Sequence, residues 1–281
     1  MPANALADVR SDGDCITLPS DDPWVCRTDG LVMDPKVVKV AYRFFSQGLF
    51  KEDRSKGIWA LLLCGAPGTG KTTQILDSAN RLARTTGKPV KVLRVECSAV
   101  FNEALGATAK AVDAVFDRAI SLRLAGYAVI ILLDDIDGAC PSRSRLGNGD
   151  PADTKQAIVS WLAGMDRLSG QPGIVVAATC NLPEHLDPAI IDRFGPVLNV
   201  PPPDLHARAR ILLHYLGERS RVNDDDPVEL ENVARRVEGW SGRALMQRLI
   251  QTATLLSGKP PVELSCTDLN NALDILSGVT K

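Results

Sequence analysis

The run GAPGTGKTTQ, Gly65 to Gln74, follows the apolar stretch IWALLLC and matches the pattern G-x-x-x-x-G-K-[ST]. Its residues are Gly65, Ala66, Pro67, Gly68, Thr69, Gly70, Lys71 and Thr72, with Thr73 next. Glycines at these positions let a loop bring its N–H groups against phosphate oxygens, and a helix opening at the loop turns its positive end toward the same anion. The lysine of such a loop reaches the terminal phosphates and the hydroxyl after it binds Mg²⁺. The expected ligand is ATP with Mg²⁺, held by Gly65–Thr73 together with an acid still to be found. Farther along, VIILLDDID ends an apolar run in carboxylates. Asp134 is placed to hold Mg²⁺ with Thr72, and Asp135 to orient an attacking water. Asp137 reads as a loop residue. A further apolar run, VVAATCN, ends in Asn181, whose amide suits a γ-phosphate or that water.

These groups need elements to carry them. Apolar runs at 59–64, 90–96, 128–134, 173–179 and 196–200 read as strands. Between them lie stretches with helical spacing. Val37, Val38, Ala41, Phe44 and Phe45 share one face of a helix over Lys36–Gln47, and Ile75, Leu76, Ala79, Leu82 and Ala83 share one over Thr72–Thr86. Val112, Val115, Phe116, Ala119 and Ile120 line one over Thr108–Leu124, and Ile158, Leu162 and Met165 one over Asp153–Leu168. Continuous apolar strands alternating with amphipathic helices predict an α/β fold with a parallel sheet covered on both faces. After PPPD at 201–204 only helical patterns follow, near 205–219, 227–238, 242–257 and 267–277. The reading is therefore an irregular N-terminal extension (1–30), a large α/β nucleotide-binding domain (31–202) and a small helical lid (203–281).

The 281 residues are 45% hydrophobic, enough for a large core and a smaller one. The net charge of −2 offers no global basic field, so direct nucleic-acid binding is not expected. The seven cysteines are scattered and show no C-x-x-C spacing, so they read as small hydrophobes in a reducing compartment. MPANALADVRSDGD lacks the basic and apolar regions of a signal peptide, and no apolar run nears the ~20 residues that span a bilayer. The expectation is a cytoplasmic protein without a membrane partner.

The order of these features, with DRF at 192–194 and GWSGR at 239–243, resembles the AAA+ ATPases over residues ~30–280. The resemblance implies that Asn181 is sensor 1, Arg193 an arginine finger reaching a neighbouring subunit's γ-phosphate, and Arg243 a sensor 2 in the lid. A finger supplied in trans implies a working oligomer, here a homo-hexamer. VMDPKVVKVAYRFF, VECSAVFNEALGATAKAV, DPADTKQAIVSWLAGMDRL and TCNLPEHLDPAIIDRFGPVLNVPPPD are similar to the pachytene-checkpoint branch of that family. Members of that branch remodel HORMA-domain proteins by pulling an N-terminal segment through a hexamer pore. The stand-alone bacterial ones accompany HORMA proteins and nucleotidyltransferases in anti-phage signalling. The resemblance thus implies a HORMA-domain substrate, itself bound to a nucleotidyltransferase.

Two departures from the family pattern stand out. Asp135 occupies the place of a Glu, and its carboxylate reaches about 1.5 Å less far. A misplacement of ~1 Å can cost ~10²-fold where positioning dominates, so slow hydrolysis is expected. In the pore-loop position, Ala104-Leu105-Gly106 replaces an aromatic-led triplet; Leu105 grips a peptide with less area, and a plain helix-entry turn is the alternative. Arg143 and Arg145 fall in a solvated loop, with a subunit interface or second pore loop as the other reading. Two further functions stay open: an ATP-dependent switch or scaffold that hydrolyses little, and a DNA-handling loader.

Overall fold

The computed structural model describes residues 16–18, 33–51, 59–97, 107–142, 152–216 and 227–279. The chain divides into two compact units, one carrying Pro35–Gly65 and Lys71–Asn199, the other Ala66–Gly70 and Val200–Lys281.

In the first unit the elements run β1 (Ile16–Leu18), α1 (Pro35–Phe50), β2 (Ala60–Cys64), α2 (Lys71–Thr86), β3 (Val90–Glu96) and α3 (Ala107–Leu124). They continue with β4 (Ala128–Asp134), α4 (Ala152–Leu168), β5 (Ile174–Cys180), the short α5 (Pro188–Ile191) and β6 (Val197–Asn199). The strands form one sheet in the order β1-β3-β4-β5-β2-β6. All its pairings are parallel except that of β1 with β3. This is the α/β P-loop architecture expected from the alternating pattern.

Every residue of β2, β4 and β5 is buried, which explains why their sequences are uninterrupted hydrophobic runs. Leu62, Ile131, Val176 and their face of the sheet join Phe116 of α3 and Trp161 of α4 in one core. The alternate residues, such as Leu61, Ile130 and Leu132, are equally buried. Helices α1 and α2 pack across strands β3, β4 and β5 and against each other. The Phe116 and Trp161 rings meet edge-on at 5.7 Å. Gly164 makes that approach possible, since a Cβ there would lie 2.1 Å from the Phe116 ring.

The composition of residues 1–30 predicts an irregular extension, yet Ile16–Leu18 pairs antiparallel with Val90–Val92 as a sheet-edge strand. Two β-branched residues in three suffice where a paired edge is already built, although three residues are too few for periodicity to register.

The second unit is helical: α6 (Leu205–Leu216), α7 (Pro227–Arg236), α8 (Gly242–Ala244) running through a π-helical stretch Leu245–Ile250 into α9 (Gln251–Ser257), and α10 (Cys266–Val279). Leu212, Leu216, Val233, Leu249 and Leu269 centre its own core. The π stretch lets Leu245, Leu249 and Ile250 all turn inward, which a regular 3.6-residue repeat would not allow so closely. No described helix is long and apolar enough to cross a membrane.

Candidate functional site: a cluster at the carboxyl ends of the parallel strands

Sheet order decides which residues meet. β2 lies between β5 and β6, and β4 lies between β3 and β5. The ends of β2, β4 and β5 therefore bring Gly65, Asp134–Asp135 and Asn181 to one edge, the place where open α/β sheets bind ligands.

Lys71, the first residue of α2, is 6% exposed. Its Nζ donates to the Gly65 carbonyl at 2.7 Å and to Asn181 Oδ1 at 2.8 Å. Burial pulls the Lys71 ammonium down from its ordinary value, and the charges of Asp135, Asp137 and Asp134 oppose that pull. Asn181 uses its other end as well: Nδ2 donates to Asp135 Oδ1 at 2.8 Å. One amide thus spans the cation and the second acid.

Asp134 is held from three sides. Thr72 Oγ1 and Thr179 Oγ1 each donate to its Oδ1 at 2.7 Å. Arg94 of β3 donates to Oδ2 through Nε at 3.2 Å and Nη2 at 2.5 Å. Burial alone would raise the Asp134 carboxyl, but the Thr179, Thr72 and Arg94 hydrogen bonds outweigh it and hold the group below the usual range. Asp135 shifts the other way: burial and the adjacent Asp134 charge raise it, against the Asn181 hydrogen bond. Neighbouring acids driven apart in this way can take different tasks, one a fixed anion and the other a proton acceptor.

The backbone at Asp135 is also unusual. Its φ of 53° makes it the one left-handed non-glycine among the described residues. Aspartate tolerates this conformation better than most residues, and such strain persists only where the surroundings enforce it. The Asp135 N–H donates to Thr179 Oγ1 at 2.9 Å, so a single hydroxyl orders both acids.

Thr179 and Arg94 are not singled out by sequence reasoning. Thr179 lies two residues before Asn181, and Arg94 is a charge inside an otherwise apolar strand; both signals are readable. Asp137 is corrected from a plain loop residue: within a 3₁₀ turn, its carboxylate accepts from the Asn181 and Leu182 N–H groups at 3.2 Å each. It thereby closes the turn that aims Asn181.

Within the second unit, Gly68 sits against Ser241 and Arg243. A Cβ at Gly68 would lie 2.6 Å from the Arg243 Cβ, and φ is +78° there, so only glycine fits. The Arg243 N–H points to the Gly68 carbonyl at 3.4 Å, and Thr69 Oγ1 donates to the Ala66 carbonyl at 3.0 Å. Arg193 is elsewhere: it forms a two-pronged ion pair with Asp166 of α4, at 3.1 and 3.0 Å, and both side chains are substantially exposed. The triplet Ala104-Leu105-Gly106 and the pair Arg143 and Arg145 lie outside the described residues.

The family model for the ATPase family associated with various cellular activities (AAA) matches residues 61–202. The chain belongs to the AAA ATPase family. An ATP-dependent zinc metalloprotease FtsH of Synechococcus sp. (strain JA-2-3B'a(2-13)) is 31% identical over 225 residues, covering 79% of this chain and 33% of that protein. CD-NTase-associated protein 6 of Pseudomonas aeruginosa is 32% identical over 160 residues, covering 56% of this chain and 53% of the relative. This AAA chain spans about a third of the FtsH relative and about half of the second. A chain of the solved E. coli MS115-1 HORMA:CdnC:Trip13 complex has the same fold, with a TM-score of 0.78, 18% identity, and coverage of 93% and 94% of the two chains. The AAA domain of FIGL-1 in complex with ADP aligns with a TM-score of 0.66 and 23% identity, over 87% of this chain and 82% of that one.

The donor set suits the substrate of an AAA ATPase. Thr72 and Asp134 offer hydroxyl and carboxylate oxygens to a hard divalent cation, and Lys71 offers a buried ammonium to phosphate. Arg94 engages Oδ2 of Asp134, while Oδ1 faces the threonine hydroxyls.

Proposed function

We propose that this AAA ATPase is a Mg²⁺-dependent remodelling machine that works as a homo-hexamer on a HORMA-domain protein. The observation that carries its chemistry is the Lys71–Asn181–Asp135 chain of hydrogen bonds, which ties the phosphate-binding cation to the group that would orient water.

In this reading Gly65–Thr73 cradle the triphosphate and Lys71 neutralises its terminal oxygens. Thr72 and Asp134 would hold Mg²⁺, which supplies charge stabilisation at the β- and γ-phosphates. Asp135 accepts a hydrogen bond from the attacking water, and its raised carboxyl suits proton acceptance. Asn181 holds Asp135 and Lys71 at fixed separation. Catalysis of phosphoryl transfer is largely positioning and charge, so the shorter Asp at this place makes hydrolysis slow.

Arg193 completes the scheme from a neighbouring subunit. Its pair with Asp166 is an exposed ion pair, a kind that contributes little, so the guanidinium can leave it at small cost. Arg243, whose backbone meets Gly68, reports the state of the phosphate loop to its helical unit. Leu105, flanked by Ala104 and Gly106, moves the substrate.

The HORMA-domain substrate, carried with a nucleotidyltransferase, rests on the sequence resemblance, the CD-NTase-associated relative and the fold shared with a chain of the HORMA:CdnC:Trip13 complex. The test is release of a purified HORMA-domain protein from its bound partner on adding this protein with ATP and Mg²⁺. Release with ATP and none with a non-hydrolysable analogue is the expected result. Equal release with both would leave a nucleotide-dependent switch, the second reading, which the Asp135 departure keeps open.

A further inference from the structure

Two thiols lie directly beneath this site. Cys64 ends β2 and Cys180 ends β5, and the two are register partners in adjacent parallel strands. Residues in register on parallel strands project to the same face, so the two side chains lie next to each other. Both are free thiols, Cys180 fully buried and Cys64 6% exposed. Strand spacing of about 4.8 Å falls inside the Cα separation that a disulfide accepts.

The residue after each cysteine gives the pair its leverage. Gly65 comes directly after Cys64, and its carbonyl accepts from Lys71. Asn181 comes directly after Cys180 and bridges Lys71 to Asp135. The two strand ends are already joined by the Gly65 N–H to the Cys180 carbonyl at 3.1 Å.

We propose that Cys64 and Cys180 form a redox modification site, at which a hydroperoxide converts the two thiols to a disulfide and thereby switches off nucleotide hydrolysis. Cys64 attacks one peroxide oxygen: an S–O bond forms, the O–O bond breaks, and the departing oxygen takes the thiol proton and leaves as the reduced partner, an alcohol, or water in the case of hydrogen peroxide. Cys180 then attacks the Cys64 sulfur; the S–S bond forms, the S–O bond breaks, and hydroxide takes the Cys180 proton and leaves as water. Two thiols and one hydroperoxide give one disulfide, one water and the reduced partner of the peroxide, which is water again for hydrogen peroxide.

The division of labour follows from the surroundings. The Cys180 hydrogen bond holds the Cys64 thiol below its ordinary value, helped by the Lys71 charge against burial, while Cys180 is pushed up. Cys64, the more exposed of the two, is the attacking sulfur and Cys180 the resolving one. A disulfide holds its two Cβ atoms about 3.8 Å apart, closer than the ~4.8 Å spacing of neighbouring strands, so the strand ends must tilt together at this pair. Gly65 and Asn181 move with them, and both partners of Lys71 are displaced. Positioning catalysis is sensitive to shifts of about 1 Å, so hydrolysis falls at least ~10-fold.

The experiment treats the purified full chain with hydrogen peroxide, quenches it by alkylation under denaturing conditions, and maps peptides by mass spectrometry. ATP binding and hydrolysis are measured on the same samples before and after a thiol reductant. Expected are a Cys64–Cys180 cross-linked peptide, at least ~10-fold loss of hydrolysis, and recovery on reduction. Cys180→Ala and Cys64→Ala each keep their hydrolysis in peroxide. Oxidation confined to Cys97, Cys140 or Cys266 overturns the proposal, as does a cross-link that leaves hydrolysis unchanged, or equal loss in the alanine variants. The hydrolysis arm rests on the ATPase reading of the site, whereas the cross-link does not. A chain that cross-links but never hydrolyses ATP fails the former reading and keeps the thiol chemistry.

Discussion

Asp134 in the sheet unit and Asp268 in the helical unit are built from the same parts and do different work. Each is a carboxylate held below its ordinary value by hydroxyl hydrogen bonds and a cation, against the opposing effect of burial. Around Asp268 every partner is local. Ser265 donates to it through both N–H and hydroxyl at 2.9 and 2.8 Å, Lys259 donates at 2.9 Å, and the Asp268 N–H returns to Ser265 Oγ at 3.3 Å. That reciprocal pattern is a capping box, and it starts α10. Around Asp134 the partners come from α2, β3 and β5, at positions 72, 94 and 179. A local network satisfies backbone groups that a helix end leaves open. A long-range network fixes the relative positions of elements, which is what a reacting site needs.

If that contrast is right, the isosteric change Asp134→Asn removes the charge on which three elements converge, and hydrolysis falls by at least ~10²-fold with the fold retained. Steady-state hydrolysis with circular dichroism checks both halves, and a variant with undiminished turnover breaks the comparison.

Thr179→Val probes the hydroxyl that serves both acids, with an expected loss of about 10-fold, equivalent to one hydrogen bond to a charged group. It also moves the pH profile. Asp135 must be ionised to accept a hydrogen bond from water, so hydrolysis declines as pH falls through its raised value. Removing the Thr179 hydroxyl takes a hydrogen bond from ionised Asp134 and raises that group too, so the acid limb shifts to higher pH. A profile that stays in place while turnover drops would reduce Thr179 to packing.

The smallest effect belongs to the helical unit. Asp268→Ala costs about 1 kcal/mol through the lost cap and leaves hydrolysis unchanged. Because the folded value of Asp268 lies below the unfolded one, the wild-type contribution is present above the ordinary aspartate range and disappears as pH falls through the lowered value. Thermal unfolding at neutral and acid pH measures it; a destabilisation that persists undiminished at low pH would contradict the assignment.

The same distinction explains what is legible in the sequence alone. The phosphate loop, Asp134, Asp135 and Asn181 carry their signal in adjacent residues at strand ends, so a linear pattern suffices to find them. Buried strands and their covering helices are legible because a parallel sheet imposes continuous hydrophobic runs. Arg94 and Thr179 escape notice because each acts through Asp134 on the neighbouring strand β4, a cross-strand contact that neither residue's own sequence surroundings mark. Cys64 and Cys180 look scattered for the same reason, being 116 positions apart in the chain and opposite each other in the sheet. Asp137 looks like loop because its partners, Asn181 and Leu182, belong to another turn. The π stretch at Leu245–Ile250 is hidden because its apolar pattern is compatible with an ordinary helix.

Single-turnover ATP hydrolysis by Asp135→Asn tests the central claim most directly, because the change keeps shape and removes only the acceptor. The account predicts that the variant still binds ATP and that its rate falls to background, at least ~10²-fold below the unchanged chain. ATP cleavage at the unchanged rate would remove Asp135 from the chemistry and with it the arrangement built around Asn181 and Lys71.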